Sequence, residues 1–112
     1  MYELGSIKRQ LGKFNDAEEL LRQSLAIEEE KPSSEPEVAL RLYEISLVLA
    51  GQSRWQEGTL YLERAIPLVD HLDANQQESL VHALKHYARR IENEQPQTAS
   101  RFRVAASKIA TQ

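Results

Sequence analysis

Residues 11–25 read Leu11-Gly12-Lys13-Phe14-Asn15-Asp16-Ala17-Glu18-Glu19-Leu20-Leu21-Arg22-Gln23-Ser24-Leu25, and the pattern returns further along the chain. Phe14-x-x-Ala17 recurs as Trp55-x-x-Gly58, and Pro96-x-x-Ala99 follows. The small residue stands at 17, 58 and 99, so the step is 58 − 17 = 41 and 99 − 58 = 41. Leu21 then matches Leu62, Ser24 matches Ala65, Leu25 matches Ile66 and Ile27 matches Leu68. Upstream, Tyr2 matches Tyr43, Leu4 matches Ile45, Gly5 matches Ser46 and Leu11 matches Gln52. A fixed period of this length, with one helical hairpin per unit, is the signature of a stacked repeat.

Helix punctuation agrees. Pro32-Ser33-Ser34-Glu35-Pro36 is a break, since proline cannot continue a helix and restricts the residue before it. Ser34 is expected to cap the next helix, and Ser53 with Gln56 reads as a capping box after Gly51-Gln52. Asp73 with Gln76 reads as another, Pro96 suits a first helical position, and Gly12 is a stop. The few glycines and prolines are expected at boundaries, which predicts six helices over 2–12, 14–31, 35–51, 54–72, 74–94 and 96–110. Helix two would bury Ala17, Leu20, Leu21, Leu25 and Ile27, and helix three Leu42, Ile45 and Leu49. In helix five the strict 41-residue register would bury His86 and Arg90. Sliding one residue buries Leu84, Tyr87, Ala88 and Ile91 instead, and that register is adopted.

Leu4-Gly5…Gly12-x-Phe14-x-x-Ala17…Leu21-x-x-Ser24-Leu25 resembles the tetratricopeptide pattern, and the long spacing resembles its kinesin-light-chain-like variety. The resemblance implies an all-α fold, an α-α superhelix. This is a right-handed solenoid of antiparallel helical hairpins, about three tetratricopeptide-like repeats in six helices. The repeats would be 1–34, 35–73 and 74–112, the third a degenerate cap in which Pro96 replaces the aromatic and Glu94 the glycine. Small residues at 5, 17, 46 and 58 would let helix backbones cross closely, with Phe14 and Trp55 filling the hairpin turns. Helix three starts near Pro36, which maps to before Met1, so about five residues of the first helix are absent by the repeat logic. The chain is then expected to be part of a longer array, with uncovered apolar surface that favours a homodimer.

Composition narrows the function. With 28% charged and 41% hydrophobic residues and a net charge of −3, the chain is an ordinary soluble type without the basic field that nucleic acid attracts. The absence of cysteine excludes disulfides and thiolate zinc sites. No apolar run approaches the roughly 20 residues that span a bilayer, and no signal-peptide core is present, so a cytoplasmic location is expected. No phosphate loop, nucleophile elbow or His-Glu-x-x-His motif occurs, and no carboxylate pair stands in an apolar setting suited to acid–base work. Glu78, His82 and His86 share a helix face but read as a solvated row with one Glu–His pair. Neither enzyme activity, metal nor cofactor is expected.

The resemblance also implies where a partner sits. First helices of each hairpin line a concave groove, which places Tyr2, Ser6, Arg9, Leu40, Tyr43, Leu47, His82, Lys85 and Arg89 along it. Such a groove would hold a protein or peptide segment with an apolar centre and acidic groups, gripped by arginine and lysine. The carboxylate clamp of some relatives uses Lys and Asn where Tyr2 and Ser6 stand, so that clamp is not expected. The alternatives are an oligomerisation or regulatory segment of a larger protein, RNA binding (disfavoured by the charge), and a solvated face in which Arg89 pairs with Glu92.

Overall fold

The helix breaks fall where the chain is punctuated, but the caps that make them differ in part from the sequence expectation. The computed structural model describes residues 1–111, and Gln112, the last position of the third expected repeat, lies outside the described residues. Six α-helices occur among those residues: α1 (Tyr2–Gln10), α2 (Phe14–Glu29), α3 (Glu35–Gly51), α4 (Trp55–Ala65), α5 (Ala74–Ile91) and α6 (Pro96–Ala110). Consecutive helices pack antiparallel. The odd-numbered helices also adjoin, α1 with α3 and α3 with α5. No helix is long and apolar enough to cross a membrane.

Two turns are built alike one period apart. After α1, Gly12 takes φ +80°, the Lys13 N–H donates to the Lys8 carbonyl, and the Gly12 N–H donates to the Arg9 carbonyl. After α3, Ser53 takes φ +58°, with Arg54 N–H to Leu49 carbonyl at 2.8 Å and Ser53 N–H to Ala50 carbonyl at 3.0 Å. Both are Schellman closures, which need a left-handed residue. Ser53 is therefore occupied in ending α3, and the expected Ser53–Gln56 capping box does not form; the N-cap of α4 is Arg54, without a side-chain bond. A left-handed backbone costs an L-residue about 1 kcal/mol relative to glycine. Ser53→Gly should accordingly raise the thermal midpoint by about 3–5 °C in a circular-dichroism melt, with no such gain for Ser53→Ala.

Ser34 stands at the N-cap of α3 as expected, its carbonyl accepting from the Val38 N–H at 2.9 Å, but its side chain makes no cap bond there. Its hydroxyl donates to the Lys31 carbonyl at 3.1 Å and to the Glu28 carbonyl, tying down the end of α2 rather than the start of α3. The Asp73–Gln76 box is present in both directions, at 2.8 and 2.9 Å. The fourth expected helix ends as α at Ala65 and continues as a 3-10 segment, Ile66–His71. Pro67 is the cause. It lies inside the expected 54–72 span, lacks an N–H, and its ring crowds the carbonyl four residues back.

α3 supplies the centre of the core, with Leu42, Ile45, Val48 and Leu49 at most 1% exposed. Leu84, Tyr87, Ala88 and Ile91 of α5 are likewise buried, while His86 and Arg90 are exposed, as the one-residue slip requires. Ile27, expected inside, is 45% exposed. The small residues do allow close crossing. A Cβ on Gly5 would stand 2.7 Å from Leu21 Cγ, and one on Gly58 only 1.8 Å from the Tyr87 hydroxyl. Tyr87 lies across Gly58 and donates to the Ser46 carbonyl of α3, and burial pushes its hydroxyl pKa well above the ordinary tyrosine range. On the even-numbered side, Glu18 of α2 accepts from Arg54 at 2.7 Å and from Arg22 at 2.9 Å, joining α2 to the start of α4.

Candidate partner-binding face

The expected groove residues fall into two groups. Those of α1 turn toward α3. Arg9 Nε donates to Glu44 Oε2 at 2.7 Å, and the Ser6 hydroxyl donates to Glu44 Oε1 at 3.1 Å. Glu44 has only 7% of its side chain exposed, so this ion pair and hydrogen bond satisfy a carboxylate that burial would otherwise penalise. Tyr2 lies under the Arg41 guanidinium, 4.4 Å from its ring centroid, and Arg41 itself bonds Ser24 of α2 at 3.0 Å. Burial and the Glu44 carboxylate both push the Tyr2 hydroxyl above the usual tyrosine pKa. Tyr2, Ser6 and Arg9 are thus side chains that fasten α1 to α3.

The second group is open. Leu40, Tyr43 and Leu47 of α3 are half-buried against the core. Burial first, and Glu44 second, raise the Tyr43 hydroxyl, which favours its neutral form. His82, Lys85 and Arg89 of α5 are exposed. His82 stands 3.9 Å from Glu78 in a fully solvated pair. Among the described residues Lys85 and Arg89 have no carboxylate within ion-pair distance, and Glu92 pairs with Arg103 rather than Arg89. The Glu78–His82–His86 row does not converge, because His86 turns against Trp55 with ring centroids 5.1 Å apart.

The step from α3 to α5 differs from the step from α1 to α3, and sequence reasoning missed the residues responsible. Ser6 and Arg9 correspond to Leu47 and Ala50 (47 − 6 = 41, 50 − 9 = 41). Glu44, in the slipped register of α5, corresponds to His86 (86 − 44 = 42). The polar lock of the first step is thereby absent from the second. In its place is a cleft of about 500 Å³ lined by Arg9, Leu47, Trp55, His86 and Arg90 among others. Phe14 lies beside Gly51, where a Cβ would come within 2.5 Å of its ring, and Trp55 packs edge-on against Tyr87 at 4.9 Å. Arg90 sits 5.4 Å from the Trp55 ring centroid, a cation–π distance. The slip that buries Leu84 and Ile91 turns His86 and Arg90 toward Trp55, and that was the signal available for finding them.

The described residues define an all-α protein of six antiparallel helices with an apolar-to-basic face on α3 and α5. No protein family, no curated protein and no solved structure matches the chain.

Proposed function

We propose that this chain is a non-catalytic protein-interaction module of tetratricopeptide type, with α3 and α5 receiving a partner segment. The segment has an apolar centre that lies on Leu40, Tyr43 and Leu47, and acidic groups that reach Lys85 and Arg89. The observation that carries this reading is the set of cations on α5 that have no ion-pair partner among the described residues, beside half-buried apolar side chains on α3. A purely structural helix surface more often balances its cations with acids three or four residues away. Tyr2, Ser6 and Arg9 contribute indirectly, by holding α1 on α3.

Selection from a displayed peptide library tests the proposal. Enriched peptides should combine acidic and apolar residues, and their affinity should fall as salt rises. A Lys85→Ala, Arg89→Ala variant should bind about 10-fold or more weakly, since a charge-assisted hydrogen bond is worth roughly 1.5–3 kcal/mol. Tyr43→Ala should weaken binding without changing its salt dependence. Enriched sequences without acidic residues, or affinities that ignore these substitutions, would show that the face is a solvated surface.

A further inference from the structure

α1 carries an apolar stripe that no other described residue covers. Leu4, Ile7 and Leu11 are 48%, 51% and 65% exposed. Their i, i+3, i+7 spacing places them on one side of the helix at about 100° per residue, opposite Tyr2, Ser6 and Arg9. One period on, Leu4 and Ile7 correspond to Ile45 and Val48 (45 − 4 = 41, 48 − 7 = 41). Those two are fully buried in α3, the helix that packs on α2. The same face is therefore covered in one repeat and bare in the other.

An apolar acceptor lies on the even-numbered side. Between the 3-10 segment and α6 opens a cleft of about 650 Å³ with Ile66 and Val69 on one wall and Phe102, Val104 and Ala105 on the other. Its rim carries Asp70 and Lys108. Neither has an oppositely charged side chain within ion-pair distance among the described residues, unlike the neighbouring Arg101–Glu63 pair. The α1 stripe has the complementary arrangement, with Glu3 near its start and Lys8 and Lys13 toward its end.

We propose that α1 of one copy docks by this stripe into the 3-10/α6 cleft of a second copy, with Glu3 toward Lys108 and the lysines toward Asp70. Apolar anchors at i, i+3 and i+7 are how an amphipathic helix fills a groove. Donor and acceptor are different patches of one chain, so the contact is head-to-tail and propagates into rings or open chains rather than closing as a two-fold dimer. Two anchors on the 9-residue α1 and a third at its C-cap, Leu11, make an interface of the small class, below about 1,200 Å² in total, so association appears at high protein concentration. The α3–α5 face stays uncovered, so this proposal stands or falls independently of the partner-binding reading.

Sedimentation velocity of the 112-residue chain over a rising concentration series is the test. The unmodified chain should grow beyond the dimer, while Ile7→Glu, which lacks the donor, and Val104→Glu, which lacks the acceptor, should each stay monomeric. Mixing the two variants should give a heterodimer and nothing larger, because one retains the acceptor and the other the donor. Both side chains are 51% exposed, so the core is untouched and the far-UV spectra should match the parent. Leu11→Glu, beyond the end of α1, serves as a second donor variant. A chain that stays monomeric throughout would overturn the proposal. A species that stops at a dimer and survives Val104→Glu would overturn it in favour of α1 pairing with α1. A mixture that remains monomeric would overturn it as well.

Discussion

Gly58→Ala should destabilise the chain by about 2–4 kcal/mol, although alanine is the better helix former. In a helix with free space the change would stabilise by up to about 1 kcal/mol. Here the added methyl would stand 1.8 Å from the Tyr87 hydroxyl and 2.6 Å from Cζ, distances no repacking of the methyl itself can relieve. Tyr87 has no exposed surface and is held on its other sides by Trp55 and the Ser46 carbonyl. The ring must move as a body, giving up a buried hydrogen bond worth about 1 kcal/mol and forcing overpacking that costs a further 1–3 kcal/mol. The expected fall in thermal midpoint is about 10–20 °C. Tyr87→Phe alone should cost only about 1 kcal/mol, since the ring stays in place. The double variant Gly58→Ala, Tyr87→Phe should remain badly destabilised, because Cζ alone is still too close. A Gly58→Ala chain as stable as the parent would show that α4 and α5 do not cross at this distance.

That crossing was largely legible in the sequence, because a small residue recurring at 17, 58 and 99 has a simple steric meaning. The helix count, the slipped burial of α5 and the Asp73 box were legible for the same kind of reason: each depends on residues close in the chain. The failures share a different cause. Ser34 and Ser53 read as capping side chains by residue type, but a hydroxyl or a left-handed backbone can equally serve the helix that is ending. Ile27 has helical periodicity on its side only if α2 is covered there, and nothing among the described residues covers it. For the candidate site, repeat alignment assumed that equivalent positions have equivalent neighbours. Glu44 breaks that equivalence. A carboxylate at a buried position on α3 draws Arg9 and Ser6 inward, whereas α5 offers His86 at the corresponding place and leaves Leu47 uncovered.

Arg9→Met tests that distinction and should have the second-largest effect. It removes the charge that balances Glu44 while keeping most of the hydrocarbon stem, and Ser6 alone cannot satisfy the carboxylate. Breaking a buried ion pair from one side costs about 3–5 kcal/mol, but Arg9 is 23% exposed and water can reach part of the vacated space, so about 2–3 kcal/mol is expected. Glu44→Leu should cost less, because the orphaned Arg9 can swing into solvent, and the double variant Arg9→Met, Glu44→Leu should recover much of the loss. The damage should also be local. α1 has 9 residues, short of the roughly 12–15 that hold a helix alone, and its Leu4, Ile7 and Leu11 face bears no packing load. Hydrogen exchange across residues 2–10 should therefore quicken well before that of α3 and α5. An acidic peptide bound on the α3–α5 face should keep its affinity within about 2-fold in this variant. A large loss of affinity with α1 still protected would return Arg9 to the groove, where the repeat pattern alone had placed it.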